Sequence, residues 1–399
     1  MDRPHLIAFE LTRRCKFRCK HCRANAAASS SEELTTGQCK KMLASAALFC
    51  KGLATEHAEK KINHELTRTD TDKKTNNELV RIRENSWQKS ADSTVKKPDA
   101  PMIILTGGEP MERSDIYGLI RYGRDLGLRM VMATCGYAIN DEAIAKLKEA
   151  GLSALSISLD GASAGTHDTF RQTKGAFDSA VKAAKSAHRA GIRFQINTTI
   201  TKSNLNEVPA IAKLAQELGA YCFNPFILVP TGRGQKIASE VLEPAEYEKL
   251  LQDLLQLKEK SAIEVRVTCG PQFARVYRQF KPVSSQRPQT IVNRQSSIVN
   301  SVSGCIGGRG FGFISYKGDV QTCGFLDISA GNLVESGFDF AQIWQGSQFL
   351  KEIRNLSSYS GNCGICEYVG VCGGCRARAY AMAGDYLDTD PVCNYQPRR

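Results

Sequence analysis

Strand-like and helical segments alternate along most of the chain, and this alternation constrains the fold more than any other feature. Six apolar runs rich in β-branched residues are each followed by a helical pattern. The runs span 6–12, 102–108, 129–136, 154–161, 193–200 and 221–229. Repeated β–α units predict a parallel sheet with helices outside it. We therefore expect an α/β fold, a partial, TIM-like (β/α)6 barrel with functional residues at the C-terminal ends of its strands.

Two polar segments interrupt this pattern. Residues 51–98 are charged and poor in aromatic residues, and they predict a flexible insertion between the first two units. Residues 281–303 have the composition of a linker, and the sequence after them is rich in Gly and Cys. We predict a barrel over 1–260, a connecting segment over 261–303, and a Cys-rich C-terminal domain over 304–399. The core of this last domain is small, so its stability requires a metal site or a covalent cross-link.

The net charge of +12 does not by itself indicate a nucleic-acid partner. Residues 51–98 carry 11 Lys/Arg against 8 Asp/Glu, and residues 275–300 carry five Lys/Arg and no acid, so two polar segments supply eight of the twelve charges. No basic stripe with interleaved aromatic residues is present. The N-terminus lacks a signal-peptide pattern, and no apolar run approaches the roughly 18 residues of a membrane span. We expect a cytoplasmic protein without a membrane span or a nucleic-acid partner.

Three cysteines, Cys15, Cys19 and Cys22, lie close together after the first predicted strand. Because the cytosol keeps thiols reduced, the fifteen cysteines of the chain indicate metal or redox sites rather than disulfides. Three thiolates suit a 4Fe–4S cube and leave one iron open to bind another molecule. A three-cysteine zinc site and inert thiols are the alternatives at this stage.

A second set of cysteines lies near the C-terminus, among glycines that allow sharp turns. This pattern predicts metal-ligand loops, with a zinc ribbon as the alternative. The set comprises Cys305, Cys323, Cys363, Cys366, Cys372, Cys375 and Cys393. We interpret four of the remaining cysteines as ordinary buried or partly buried thiols, namely Cys39, Cys50, Cys135 and Cys222.

The CxxxCxxC spacing after the first strand of a β/α repeat resembles the radical S-adenosylmethionine (SAM) superfamily. The resemblance runs from about residue 5 to residue 395, outside the two polar segments. It implies that Cys15, Cys19 and Cys22 hold a 4Fe–4S cluster whose open iron chelates SAM. In this family, electron transfer cleaves SAM to methionine and a 5′-deoxyadenosyl radical.

Further segments match the SAM-binding positions of the family, although a simple turn or a solvated side chain would explain any one of them alone. The GGEP motif ends the second strand, and the resemblance implies that its backbone and carboxylate hold the SAM amino group. Ser158 matches the ribose contact, Arg171 a residue near the SAM carboxylate, and Asn197 a further SAM contact. His21 matches an aromatic position near the adenine. The GGEP residues are Gly107, Gly108, Glu109 and Pro110.

The second cysteine set resembles the SPASM/twitch domain of the same superfamily, which carries auxiliary 4Fe–4S clusters. By residue match, Cys305, Cys323 and Cys375 share one cluster, and Cys269 is a candidate for its fourth ligand. The other cluster would take Cys363, Cys366, Cys372 and Cys393. Two residues separate Cys372 from Cys375, where the common pattern has three, and we expect one or two auxiliary clusters.

Several segments, among them CKHCRA, VPTGRG and CGGCRARAYAMAGDYLDTDPVC, resemble tetrapyrrole-modifying members. The most similar members act in heme biosynthesis and convert two propionates of Fe-coproporphyrin III to vinyl groups, releasing CO2 and giving heme b. This resemblance implies an electron donor such as ferredoxin or flavodoxin. A related heme d1 or didecarboxysiroheme step, a peptide-modifying SPASM enzyme and a non-catalytic electron carrier are the alternatives.

The predicted substrate has four carboxylates, and the planar guanidinium fork binds carboxylates in pairs of hydrogen bonds. We therefore expect arginines near the motifs to bind the substrate, with ordinary surface arginines as the alternative. The candidates are Arg233, Arg309, Arg376 and Arg378.

Overall fold

The computed structural model describes four stretches of the chain, residues 3–27, 32–52, 100–280 and 304–398. The predicted insertion, apart from Lys51 and Gly52, and the predicted linker over 281–303 lie outside the described residues. Within the described stretches, every helix is too short or too polar to cross a membrane.

Six parallel strands form the wall of the predicted barrel, and their bounds agree closely with the apolar runs of the sequence. Each strand pairs with the next one in chain order, and a two-residue strand β7 (Glu264–Val265) adds to the last. The sheet therefore has the predicted parallel α/β architecture. The six strands are β1 (Leu6–Thr12), β2 (Met102–Gly107), β3 (Arg129–Thr134), β4 (Ala154–Ser158), β5 (Phe194–Ile200) and β6 (Cys222–Ile227).

Amphipathic helices connect the strands and pack their apolar sides against the sheet. The helix over Thr36–Lys51 begins with a capping box at Thr35, whose side chain accepts from the Gln38 amide, and ends at Gly52 with positive φ. These caps explain why the first helix begins and ends where it does. The other connecting helices are Ile116–Asp125, Asp141–Ala150, Ala164–Arg171, Ala176–Arg189, Val208–Glu217 and Pro244–Lys260.

The strands present an apolar side to the helices and a polar side to the interior of the barrel. In β5 the burial alternates: Phe194, Ile196 and Ile200 are buried in the core, whereas Gln195 and Asn197 are half-buried. Because successive side chains of a strand point to opposite faces, this alternation leaves polar groups in the barrel. The interior is therefore suited to a polar ligand.

The C-terminal region extends the same sheet beyond β1. Strand β8 (Phe311–Ile314) pairs with β1 in parallel, β9 (Asp319–Gln321) pairs with β8, and β10 (Gly331–Asn332) pairs with β9. Strand β8 begins beside the start of β1 and runs parallel to it, so the residues that follow β8 lie towards the end of β1, where the first three cysteines follow. The described helices of the last part of the chain are Phe273–Phe280, Phe340–Gly346, Gln348–Arg354, Gly361–Gly364 and Arg376–Ala383.

Phe9 is fully buried between the sheet and its helices, whereas Phe280 is 60% exposed. We expect Phe9→Ala to lower the free energy of unfolding by about 3–5 kcal/mol, because the substitution removes buried apolar surface and leaves a cavity. Phe280→Ala, which deletes the same atoms, should change it by less than about 0.5 kcal/mol. Urea unfolding followed by circular dichroism measures both, and equal midpoints would contradict this account of the core.

Candidate active site

The loop after β1 carries the three clustered cysteines, and its two ends are tied together. The Cys15 amide donates to the Ala27 carbonyl at 2.9 Å, and the Ala27 amide donates to the Arg13 carbonyl at 2.9 Å. Cys15 and Cys19 are buried, Cys22 is half-buried, and all three belong to one packed group. The structure therefore brings the three predicted ligands together at the C-terminal end of β1.

Arg233 fastens this loop to the segment after β6. Its Nε donates to the Cys19 carbonyl at 2.9 Å, and its Nη1 donates to the Ala26 carbonyl at 2.7 Å. The preceding residue, Gly232, has a φ of +56°, and a Cβ there would lie 2.3 Å from the Arg23 carbonyl oxygen. We expected Arg233 to bind a substrate carboxylate, but these two donors are already committed to the loop backbone.

The GGEP motif lies against the start of the same loop. The Gly108 amide donates to the Thr12 carbonyl at 2.7 Å, and the Glu109 amide donates to the Arg14 carbonyl at 2.8 Å. A Cβ at Gly108 would lie 2.3 Å from the Arg14 carbonyl oxygen, so only glycine permits this approach. Pro110 is buried and opens a short 3-10 turn. The motif thus joins the end of β2 to the cysteine loop.

The Glu109 carboxylate is fully buried and is satisfied from the end of β3. It accepts from Thr134 Oγ1 at 2.8 Å, the Cys135 amide at 2.9 Å and Cys135 Sγ at 3.0 Å. Burial raises the pKa of Glu109, and these hydrogen bonds oppose the shift. In this arrangement the side chain faces Thr134 and Cys135.

Cys135 was predicted as an ordinary buried thiol, and it is buried, but it also contacts the first cysteine of the loop. A hydrogen bond between the two thiols lowers the pKa of Cys15 to about 7, although burial opposes this shift. The thiolate is the form of cysteine that binds iron. The signal that could have singled out Cys135 is its place directly after a parallel strand, at the same sheet edge as the loop.

Arg171 reaches the loop from the helix after β4. Its Nε donates to Asp160 Oδ2 at 2.6 Å, and its Nη1 lies 3.5 Å from Cys19 Sγ. Burial alone would lower the pKa of Arg171, but Asp160 raises it above the ordinary value, so the guanidinium stays charged. A buried cation therefore lies beside one predicted cluster ligand.

His21 stacks on Phe170, with ring centroids 4.5 Å apart and planes 9° from parallel. Burial lowers the pKa of His21 to about 3, so the ring is neutral. Its Nδ1 is buried and has no hydrogen-bond partner among the described residues. A buried polar atom without a partner is costly, and its place in the cysteine loop fits a ligand bound there.

The two remaining SAM-site candidates face each other across neighbouring strands. Ser158 on β4 is in register with Asn197 on β5, and both are half-buried. Asn197 Oδ1 accepts from Gln195 at 2.8 Å and from Asn224 at 3.3 Å. These groups form a polar patch on the interior side of the sheet.

The C-terminal cysteines form the two predicted groups. Four of them line one small cavity, namely Cys363, Cys366, Cys372 and Cys393. In the other group, burial raises the pKa of Cys269 well above its ordinary value, and Cys375, Cys323 and Cys305 raise it further because they lie close by. Cys269 also has a φ of +57°, an uncommon conformation for a residue with a side chain. Cys269 therefore lies close to Cys305, Cys323 and Cys375, the group for which it was a candidate fourth ligand.

Two arginines hold these groups in place. Arg378 is fully buried, forms two hydrogen bonds to Asp390 at 2.8 and 2.7 Å, and donates to the Cys269 carbonyl at 3.0 Å. Asp390 also accepts from the Cys375 amide at 2.8 Å. Arg376 Nη2 lies 3.3 Å from Cys363 Sγ. Both arginines were expected to bind substrate, but in the structure their side chains hold the cysteine loops. The remaining candidate, Arg309, is half-buried.

A cavity of about 650 Å³ lies between the first cysteine loop and strands β8 and β9. On one side it contacts Arg23 and Ala24, which follow Cys22 directly, and on the other Gly324, which follows Cys323. Its volume lies in the range of small-molecule sites, about 300–1,000 Å³. A molecule in this cavity would therefore lie between the first cysteine loop and one of the C-terminal cysteine groups.

Two family models match the chain: that of the radical SAM superfamily over residues 77–215, and that of the SPASM iron–sulfur cluster-binding domain over residues 305–376. An AdoMet-dependent heme synthase from Methanosarcina barkeri is 37% identical over 395 residues, which cover 99% of this chain and 97% of that relative. The chain belongs to the radical SAM superfamily. This radical SAM enzyme binds a 4Fe–4S cluster and SAM, and its SPASM domain binds auxiliary iron–sulfur clusters.

Two further similarities bear on the function and the fold. An Fe-coproporphyrin III synthase from the same organism is 28% identical over 411 residues, which cover 98% of this chain and 88% of that relative. The crystal structure of Streptococcus suis SuiB bound to its precursor peptide SuiA has a TM-score of 0.66 at 15% identity, covering 99% of this chain and 77% of SuiB. The second similarity shows the fold alone.

The residues of the chain fit iron–sulfur clusters. The thiols of the first loop are packed together, and a buried guanidinium lies near one of them. In the described stretches, no three His, Cys, Asp or Glu side chains converge as the ligands of a single metal ion would. A cluster does not require such convergence, because each thiolate binds a different iron atom.

The roles proposed for the first three cysteines can be tested by one matched pair of variants. We expect Cys19→Ala to abolish the reductive cleavage of SAM, because it removes one of only three cluster ligands. Cys39→Ala, which removes an equally buried thiol from the helix over Thr36–Lys51, should retain cleavage. Chromatography of 5′-deoxyadenosine under anaerobic conditions measures both, and cleavage by Cys19→Ala at the rate of the unaltered enzyme would contradict the assignment.

Cys269 is expected to hold an auxiliary cluster together with Cys305, Cys323 and Cys375. Cys269→Ala should therefore lower the iron and sulfide content of the reconstituted protein and change the electron paramagnetic resonance spectrum of its auxiliary clusters. Cys222→Ala, which removes a fully buried thiol from β6, is the control and should leave both unchanged. Equal iron content in the two variants would show that Cys269 is not a ligand.

Proposed function

We propose that this radical SAM enzyme acts in heme biosynthesis and converts two propionates of Fe-coproporphyrin III to vinyl groups, giving heme b. The observation that carries the proposal is the cavity of about 650 Å³, which contacts the loops of Cys22 and Cys323 and is lined by arginines stacked on aromatic rings. Aromatic rings suit a flat macrocycle, and arginines suit its carboxylates. The 37% identity to an AdoMet-dependent heme synthase supports the same substrate class.

The reaction requires the loss of one hydrogen atom, one CO2 and one electron from each propionate. When bound, the first cluster and SAM would supply the chemistry for removing a hydrogen atom from the carbon next to the ring, and the auxiliary clusters would accept the electron. In our proposal the chain contributes ligands, orientation and a cavity, which together place the reacting carbon.

The residues proposed to bind the first cluster and SAM lie near the ends of different strands. In our proposal Cys15, Cys19 and Cys22 hold the SAM-binding cluster. The residues proposed to hold SAM are His21, Gly107, Gly108, Glu109, Pro110, Ser158, Arg171 and Asn197. Since these residues follow different parallel strands, the sheet itself sets their relative positions.

Two groups of residues are proposed for the auxiliary clusters. The first is Cys269, Cys305, Cys323 and Cys375, and the second is Cys363, Cys366, Cys372 and Cys393. The reductant of the SAM-binding cluster is proposed to be a ferredoxin or a flavodoxin.

The deciding experiment supplies the anaerobic, reconstituted enzyme with dithionite, SAM and Fe-coproporphyrin III and follows the porphyrin by mass spectrometry. We expect the stepwise loss of two carboxyl groups together with two hydrogens, because each propionate becomes a vinyl group. SAM cleavage with an unchanged porphyrin would contradict Fe-coproporphyrin III as the substrate and favour a siroheme derivative or a peptide. Intact clusters without any SAM cleavage would contradict the radical enzyme itself and favour an electron carrier.

A further inference from the structure

The cavity between the first cysteine loop and strands β8 and β9 is lined by one cation, Arg13, that has no acidic partner among the described residues. Arg13 is the first residue after β1 and precedes Cys15 by two positions. Its guanidinium carbon lies 4.2 Å from the centre of the Tyr316 ring. Its Nε is buried and has no hydrogen-bond partner among the described residues.

The other cations around this cavity already have acidic partners. Arg23 Nη1 lies 3.1 Å from Glu10 Oε1, and Lys317 Nζ lies 3.6 Å from Glu32 Oε2. In the described part of the chain, no carboxylate lies within ion-pair distance of the Arg13 guanidinium, although Glu33 accepts from its backbone amide at 3.0 Å. The positive charge at Arg13 is therefore uncompensated.

The acids that line the cavity do not supply the missing partner. Glu10 is held by Arg23, Asp319 accepts from Ser315 and Asn332, and Asp327 accepts from Gln321 at 2.8 Å. Thr231, which also lines the cavity, has a buried hydroxyl without a partner among the described residues. Two residues that line the cavity therefore carry unpartnered polar atoms, and the guanidinium of Arg13 suits a ligand that accepts hydrogen bonds.

We propose that Arg13, stacked on Tyr316, binds a carboxylate of the substrate and thereby sets the orientation of the macrocycle beside the first cysteine loop. The ring of Tyr316 holds the planar guanidinium, so that little side-chain freedom is lost on binding. This inference rests on the proposed function, because it takes the carboxylate from Fe-coproporphyrin III.

The carboxylate at Arg13 is one of the two propionates that the reaction retains. A guanidinium pair stabilises the charged carboxylate and so disfavours its loss as CO2. Heme b keeps two propionates, and it should therefore use the same contact as the substrate. Arg13 is in this account a substrate-binding residue that determines which propionates are presented for reaction.

The test is a titration of the reconstituted enzyme without SAM, in which the Soret band reports binding of Fe-coproporphyrin III and, separately, of heme b. We expect Arg13→Gln to weaken both by about tenfold, because a charged hydrogen-bond pair is lost. The affinities of Arg13→Lys should lie between those of the unaltered enzyme and those of Arg13→Gln, because lysine keeps the charge but lacks the planar guanidinium that stacks on Tyr316.

Arg121→Gln is the control, because it removes the same charge from an exposed position of the helix over Ile116–Asp125 that is not part of the cavity. Its affinities should equal those of the unaltered enzyme. Iron content and circular dichroism establish that each variant is folded and loaded with clusters.

The outcomes separate this inference from the proposed function. Unchanged affinities in Arg13→Gln would overturn the role of Arg13 while leaving the heme-forming reaction intact. Weaker binding of Fe-coproporphyrin III alone, with heme b unaffected, would overturn the assignment to a retained propionate. If the unaltered enzyme binds neither compound, the proposed function fails and the inference fails with it.

Discussion

The loop between Thr12 and Ala27 has to hold three thiols in fixed positions although it contains no helix or regular strand. A buried backbone group without a hydrogen bond is costly, so the loop needs partners from elsewhere in the chain. Arg233 donates hydrogen bonds to two carbonyls of the loop, and the amides of the GGEP motif donate to the Thr12 and Arg14 carbonyls. The ends of β2 and β6 are thereby tied to the loop after β1. The geometry of the whole strand-end surface depends on these hydrogen bonds.

The pairing of β8 with β1 has a second consequence for the site. Because β8 continues the barrel sheet, the segment that carries Cys323 is fixed next to the first cysteine loop. The cavity between them belongs equally to both parts of the chain, and neither part alone would enclose it. The buried pair of Arg378 and Asp390 then connects Cys269 with Cys375. Backbone pairing and buried ion pairs thus contribute to the positions of the cysteine groups.

Much of this arrangement could be predicted from local patterns. Runs such as 6–12 and 154–161 are long enough and rich enough in β-branched residues to define strands, and parallel strands place their following residues at one edge. Ser158 and Asn197 were matched to the SAM site through the resemblance to the family, and the register of β4 and β5 places them side by side. The role of Arg233 was not predictable, because an arginine that binds backbone carbonyls and one that binds a carboxylate look alike in sequence. Only the fold shows which acceptors lie within reach.

Because the sequence does not show which acceptors an arginine can reach, it did not single out Arg13, although it suggested four other arginines as substrate-binding residues. Arg23 and Arg13 both stack on aromatic rings at the cavity wall, at 4.6 and 4.2 Å from the ring centres. Arg23 faces Glu10, which is 2% exposed, so the pair is internally compensated. Arg13 has no such acid among the described residues, and a buried donor without a partner costs about 1–3 kcal/mol. In our proposal a carboxylate pairs with the charge of this guanidinium, so the wall beside the first cysteine loop favours an anionic ligand over a neutral one.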